Sequence, residues 1–235
     1  LGKKVLLVDG NLSSPNLGLH LNIINPEKTI HDILNRNARI KEAIYQYKNF
    51  DIIPASIFND VEVNPLKLKD YLKGVKKRYD FVILDSSPSL DEETLAVMLA
   101  SDEIFVVTTP DHLTMSTSLK AAKLAKQRGT PISGIILNKV HKKDFELSLD
   151  DIENTLEIPV LAVIPYDLNV LRALSNMEPS TTYKPGSEGS EELMKFAAII
   201  SGQKYQKNSF RDFFRGFVPT RSDINREIFY QRVFK

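Results

Sequence analysis

Phe81-Val82-Ile83-Leu84-Asp85 is an unbroken apolar run that ends on a carboxylate. It is too short for an ordinary helix and rich in residues that fit a pleated surface, so it reads as a strand. Because the run is continuously apolar rather than alternating, both faces of that strand must be covered, which points to a parallel sheet between layers of helix. On either side, runs of the same kind recur at residues 5–8, 51–54, 104–108, 134–137 and 160–164. Helical spacing fills intervals at residues 65–78, 91–100, 116–128 and 149–156, with a closing helix at 191–200. The alternation predicts an α/β fold on a doubly wound, mostly parallel sheet with helices on both faces.

Bulk properties narrow the function classes. At 235 residues and 42% hydrophobic content the chain can build one sizeable domain with its own core. Lysine plus arginine (31) nearly balances aspartate plus glutamate (30), so any attraction to nucleic acid or membrane must be local. The absence of cysteine excludes disulfides, thiol catalysis and cysteine-ligated metals, and it fits a cytoplasmic location. No apolar run approaches the roughly 18 residues of a membrane span, so membrane contact is expected to be peripheral.

Ligands of such sheets bind at the carboxyl ends of the strands. Four polar clusters stand there in the sequence: Asp9-Gly10-Asn11, Asp85-Ser86-Ser87-Pro88, Asn138-Lys139 and Pro165-Tyr166-Asp167. Any one of them also suits an ordinary turn. Asp9 and Asp85 each end an apolar strand, so two carboxylates can converge on one hydrated Mg2+ without touching it directly. His20, His31, His112 and His141 are scattered without ligand spacing or an evident acidic partner. Lys73, Lys76, Lys77 and Arg78 read as a solvated helix end. Ser86 and Ser87 have no histidine near them in sequence to activate a nucleophile.

Lys3-Lys4-Val5-Leu6-Leu7-Val8-Asp9-Gly10-Asn11-Leu12 with Asn16-Leu17 resembles switch I of the MinD branch of the deviant Walker A ATPases, the MinD/ParA family. Asp80 to Asp85 with Pro88 resembles that family's Walker B strand and switch II. Gly134-Ile135-Ile136-Leu137-Asn138-Lys139-Val140 resembles the strand whose asparagine reads adenine. Residues 159–167 and Tyr183-Lys184-Pro185 look like its last strand and following loop. The resemblance spans roughly residues 1–200 and implies a P-loop NTPase of the SIMIBI type with ATP and Mg2+ as cofactors. It implies that Asp9 and Asp85 support Mg2+ through water, Asp9 and Asn11 serve catalysis, Asn138 bonds adenine, and Pro165, Tyr166 and Asp167 wall the base. The segments at residues 11–16 and 86–90 would respond to the γ-phosphate and help form an ATP-dependent homodimer.

Two departures qualify it. The family's glycine-rich phosphate loop and its lysines precede the strand that begins at Val5, and this sequence opens at Leu1 without them, so it reads as an amino-terminally cut chain. ATP hydrolysis is expected if the native protein carries that loop. Gly186-Ser187-Glu188-Gly189-Ser190 is no replacement and reads as an ordinary flexible loop. At Asn11 the family commonly carries an aspartate; asparagine orients a water but accepts no proton, so slow turnover is expected.

The predicted division is a nucleotide-binding domain at residues 1–202 and a basic, phenylalanine-rich tail at 203–235. The tail has eight basic residues against three acidic, a local charge of about +5. Phe210, Phe213, Phe214 and Phe217 fall on one helical face with Arg211 and Arg215 beside it, followed by a second candidate helix at 223–234. That pattern suits an anionic membrane surface, and equally docking on the domain or on a partner protein, with nucleic acid a third reading. Two functions remain open: an ATP-driven dimerisation and membrane switch with regulatory protein partners, or an inactive interaction module. A partitioning ATPase of the ParA type is a further alternative.

Overall fold

The computed structural model describes residues 1–58, 62–203 and 219–234. They fall into two units, Gly2–Asp102 and Glu103–Lys235, the second also holding Leu1. The fold is α/β with a mostly parallel arrangement of strands, as the sequence predicted.

In the amino-terminal unit, β1 (Val5–Asp9), β2 (Tyr45–Tyr47), β3 (Phe50–Ile53) and β4 (Phe81–Asp85) hydrogen-bond in the order β2-β3-β1-β4. β1 runs parallel to both β3 and β4, and β2 returns antiparallel on β3. The β1–β4 register pairs Val5 with Phe81 and, four steps on, Asp9 with Asp85. Leu6 and Val8 of β1 point into a core with Ile30, Ile33 and Leu34 of α2 (Ile30–Leu34) and Leu68, Leu72 and Val75 of α3 (Leu68–Lys76). The spacing of those α3 residues puts them on one face, while Lys73 and Lys76 end the helix and pair with Asp70 and Asp102. Val97 of α4 (Glu92–Ala100) joins the same core. Leu17–His20 forms the short α1.

In the carboxy-terminal unit, β5 (Ile104–Thr108), β6 (Ile132–Val140) and β7 (Val160–Pro165) form a parallel sheet in the order β5-β6-β7. Successive residues of β6 feed opposite faces. Ile135 and Leu137 pack with Met115 of α5 (His112–Gln127) and Ile152 and Leu156 of α6 (Leu149–Leu156). Ile136 packs with Phe196 of the helix at Glu188–Ile200 and Phe229 of the helix at Arg221–Phe234. Between β7 and these lie α7 (Leu168–Ser175) and α8 (Ser180–Tyr183), so the two later helices are α9 and α10.

Several expectations change. The strands hydrogen-bond as two sheets, one in each unit, and the tail boundary at residue 202 does not isolate α10. Asn225 of α10 donates to the Val160 carbonyl (2.9 Å), and the buried Arg226 donates to the Leu161 carbonyl (2.9 Å) and pairs with Glu192 (2.6 Å) and Asp223. The glycine-bearing stretch at residues 186–190 is the start of α9, with the Ser187 hydroxyl accepting from Ser190 N–H, rather than a loop. Within β4, Ile83 is 45% exposed, although the apolar run predicted cover on both faces. Phe210, Arg211, Phe213, Phe214, Arg215 and Phe217 lie outside the described residues.

Candidate functional site

The carboxyl ends of β1 and β4 bring Asp9 and Asp85 side by side, because register partners in a parallel pair lie about 4.8 Å apart. Gly10 makes this rim possible. Its N–H donates to the Asp85 carbonyl at 2.7 Å, and a Cβ there would stand 2.6 Å from Val97 Cγ2 and 2.7 Å from that carbonyl oxygen. Only a residue without a side chain permits such an approach.

Asp9 is fully buried, and its carboxylate holds both ends of the following loop. Oδ1 accepts from Asn11 N–H (3.2 Å) and Oδ2 from Leu17 N–H (3.3 Å). Burial pushes its pKa up to about 7, with the Asp85 charge adding to the rise and backbone donors opposing it. Asp85 is raised too, chiefly by burial, and His20 works against that rise. His20 is thus an acidic residue's electrostatic neighbour, which its position in the sequence did not indicate. Two adjacent, desolvated carboxyls at a strand rim have the chemistry of a divalent-cation support. Bound Mg2+ would supply the positive charge that lets both ionise and that screens phosphate oxygens. Among the described residues no group of three or more His, Cys, Asp or Glu side chains is arranged to hold a metal.

The loop after β1 is fastened at almost every residue. The buried Asn11 amide donates to the Ser14 carbonyl (2.8 Å) and accepts from Ser14 N–H (3.3 Å), closing a turn on itself. The Leu12 N–H donates to Glu93 Oε2 of α4 (2.9 Å), and the Ser13 hydroxyl donates to Glu93 Oε1. His31 of α2 takes the other side of Leu12. Ser56 N–H donates to its Nδ1 (3.2 Å), so Nε2 carries the proton and donates to the Leu12 carbonyl (3.1 Å). Burial lowers the His31 pKa, outweighing the Leu12 carbonyl and the charges of Asp32 and Glu93. Glu93 and His31 are the residues that sequence reasoning missed, since contacts across 81 and 19 positions leave no local signal.

The loop after β4 is held to its own helix. Asp91 caps α4 by accepting from Thr94 N–H (3.0 Å) and also accepts from the Ser87 hydroxyl (3.2 Å). The Thr94 hydroxyl donates to the Ser87 and Ser89 carbonyls (3.0 and 2.5 Å). Ser87 is thus tied at both its hydroxyl and its carbonyl to the first turn of α4.

The carboxy-terminal unit carries the remaining residues of interest. Asn138 does not follow its strand but lies inside β6, which continues to Val140 with a break in register after Leu137. Lys139 is left-handed there (φ 56°), and its N–H donates to Asn138 Oδ1 (2.9 Å). Such a bulge re-aims a side chain at a strand end. Pro165 is the last residue of β7, and Tyr166 stacks on His141 with ring centroids 4.7 Å apart. Asp167 caps α7 by accepting from Asn169 N–H (2.8 Å), and it accepts from Gly189 N–H (3.3 Å). Burial works to raise its pKa, but hydrogen bonds from Ser187, Asn169 and Gly189 prevail and hold it below the usual carboxylate range.

A family model described as AAA domain matches residues 1–127, and one described as NUBPL iron-transfer P-loop NTPase matches residues 66–201. An uncharacterised ATP-binding protein of Methanocaldococcus jannaschii is 31% identical, over 86% of this chain and 78% of its own. This chain belongs to the MinD/ParA family of P-loop NTPases. Septum site-determining protein MinD of Thermotoga maritima is 28% identical over 95% of this chain and 87% of its own. The solved MinD of Pyrococcus horikoshii, complexed with Mg-ADP, superimposes with a TM-score of 0.80 at 31% identity, covering 85% of this chain and 84% of that one. MinD/ParA-family ATPases act in division-site placement or partitioning, with ATP and Mg2+ as cofactors.

Proposed function

We infer that this protein is an ATP-controlled positioning switch. In this reading Mg-ATP binding favours a homodimer and peripheral membrane association, and hydrolysis releases both. The paired carboxyls of Asp9 and Asp85, with the fastened loop after β1, carry the reading, because they join a cation support to a segment able to sense what the cation accompanies. Asp9 and Asp85 would support Mg2+ through water, Asn138 would address adenine, and Pro165 with Tyr166 would wall the base. Asp167 acts there through α7, which it caps. That helix turns Leu168, Leu171 and Leu174 outward on one face, an apolar stripe suited to a second copy or a regulatory protein. Membrane contact would fall to the Phe210, Arg211, Phe213, Phe214, Arg215 and Phe217 segment.

Size measurement by light scattering on the full-length protein, with Mg-ATP and then Mg-ADP, tests the switch: a dimer with ATP alone is expected, and a monomer in both sinks it. Co-sedimentation with anionic vesicles tests the surface, because equal pelleting of a Phe213→Ala, Phe214→Ala variant would remove membrane insertion. A second reading, an interaction module with little turnover, is favoured by one observation: Asn11 supplies no carboxylate, and its amide is closed on Ser14. Single-turnover hydrolysis by Asn11→Asp separates the two, since a rate equal to wild type leaves Asn11 no part in slow turnover.

A further inference from the structure

Glu93 was legible in the sequence only as one more polar residue of a helix. In the structure it is the contact that joins the two loops flanking the carboxyl pair. From the first turn of α4, one carboxylate oxygen accepts the Leu12 N–H at 2.9 Å and the other accepts the Ser13 hydroxyl. Two residues before it, Asp91 receives the Ser87 hydroxyl, and one residue after it, Thr94 donates to Ser87 and Ser89. A continuous set of hydrogen bonds therefore runs from the loop at residues 11–14, through α4, to the loop at residues 86–89. We propose that Glu93 is a positioning residue, a latch that fastens the loop after β1 to the helix after β4 so that both nucleotide-sensing segments shift together.

The chemistry favours a latch over a passive surface contact. Glu93 forms no ion pair among the described residues; its bonds go to a neutral N–H and a hydroxyl, and a carboxylate accepting such donors makes stronger bonds than a neutral group would. Both donors sit one and two residues after Asn11, so releasing them frees the chain beside Asn11 without touching the Asn11–Ser14 turn or the His31 bond to Leu12. The latch rests on the switch reading for its purpose, though its geometry stands independently of that reading.

The test is hydrogen exchange of the full-length protein, resolved at residues 11–14 and over α4, for wild type, Glu93→Ala, Glu93→Gln and Ser13→Ala, without nucleotide and with a non-hydrolysable ATP analogue. In Glu93→Ala the Leu12 amide, which loses its acceptor, should exchange roughly tenfold faster while α4 stays protected. Glu93→Gln keeps an acceptor for Leu12 N–H and should fall between. Turnover by Glu93→Ala should drop several-fold in kcat with KM for ATP nearly unchanged, because Glu93 holds the loop rather than the nucleotide. Unchanged loop exchange in Glu93→Ala overturns the latch. Should that variant fail to fold, wild-type loop exchange in both Glu93→Gln and Ser13→Ala overturns it equally. A wild type that neither binds nor hydrolyses ATP would instead remove the switch reading and leave the exchange result to decide the latch alone.

Discussion

The strand ends of the two units are built to opposite rules. At the β1–β4 rim the functional groups are buried and fastened: Asp9 is fully enclosed, Asn11 is nearly so, and each loop residue from Asn11 to Ser14 makes a bond outside its own position. At the β6–β7 rim they are open: Tyr166 is 45% exposed, Asn138 is half-buried, and a bulge rather than a close packing contact sets their direction. That difference suits the division proposed above, a cation and phosphate at the first rim and a base at the second. Charge on a cation and phosphate is discriminated best by groups held in a water-poor setting, where electrostatic terms are large. A planar base is gripped by faces and edges, which tolerate exposure.

The largest expected effect is a pH dependence specific to the first rim. The Asp9 pKa in the folded protein, about 7, lies above its ordinary 3.8, so folding takes up a proton. The associated stability is complete below about pH 4 and is lost as pH rises through 7, by up to about 4 kcal/mol. Urea denaturation between pH 4 and 8 should show that fall in wild type and not in Asp9→Asn; parallel curves would break the contrast between the rims. Next comes packing. Gly10→Ala forces a Cβ against Val97 and the Asp85 carbonyl and should cost about 3 kcal/mol by the same assay. Gly186→Ala, where a Cβ meets nothing within 4 Å, should cost almost nothing.

On the open rim the effects shrink. Asp167→Ala removes the α7 cap and should cost about 1 kcal/mol in thermal unfolding, with a matching rise in amide exchange at Asn169. Tyr166→Ala should change stability by less than about 0.5 kcal/mol while weakening binding of a fluorescent ATP analogue to the full-length protein. A Tyr166 variant as unstable as Gly10→Ala would show that the second rim is also a packed one.

Strands were legible from the sequence because the apolar runs at residues 5–8, 81–84 and 160–164 are long enough to be counted. α6 was placed at its observed bounds by its helical spacing, and the structure shows Ser148 capping it. Most elements that escaped are short, β2 with three residues and α1, α2 and α8 with four or five, too few for a period to register; α7, with eight, escaped as well. The site divides likewise. Asp9 and Asp85 announce themselves as carboxylates ending apolar strands, whereas Glu93 and His31 act through backbone groups brought near by the fold. Asn138 was identified but misplaced, since Asn and Lys usually end a strand and only the left-handed Lys139 lets β6 continue past them.

α10 has one more consequence, for the behaviour of the protein at high concentration. β7 is the last strand of its sheet, and Asn225 and Arg226 of α10 occupy the carbonyls of Val160 and Leu161 at its start. An outer strand with vacant acceptors is a template on which other chains can add. A protein trimmed before Arg221 would present an apolar strand, Val160 to Ile164, with that cover removed. The closing helix thus does for solubility what charged or proline residues do on the outer strands of other sheets.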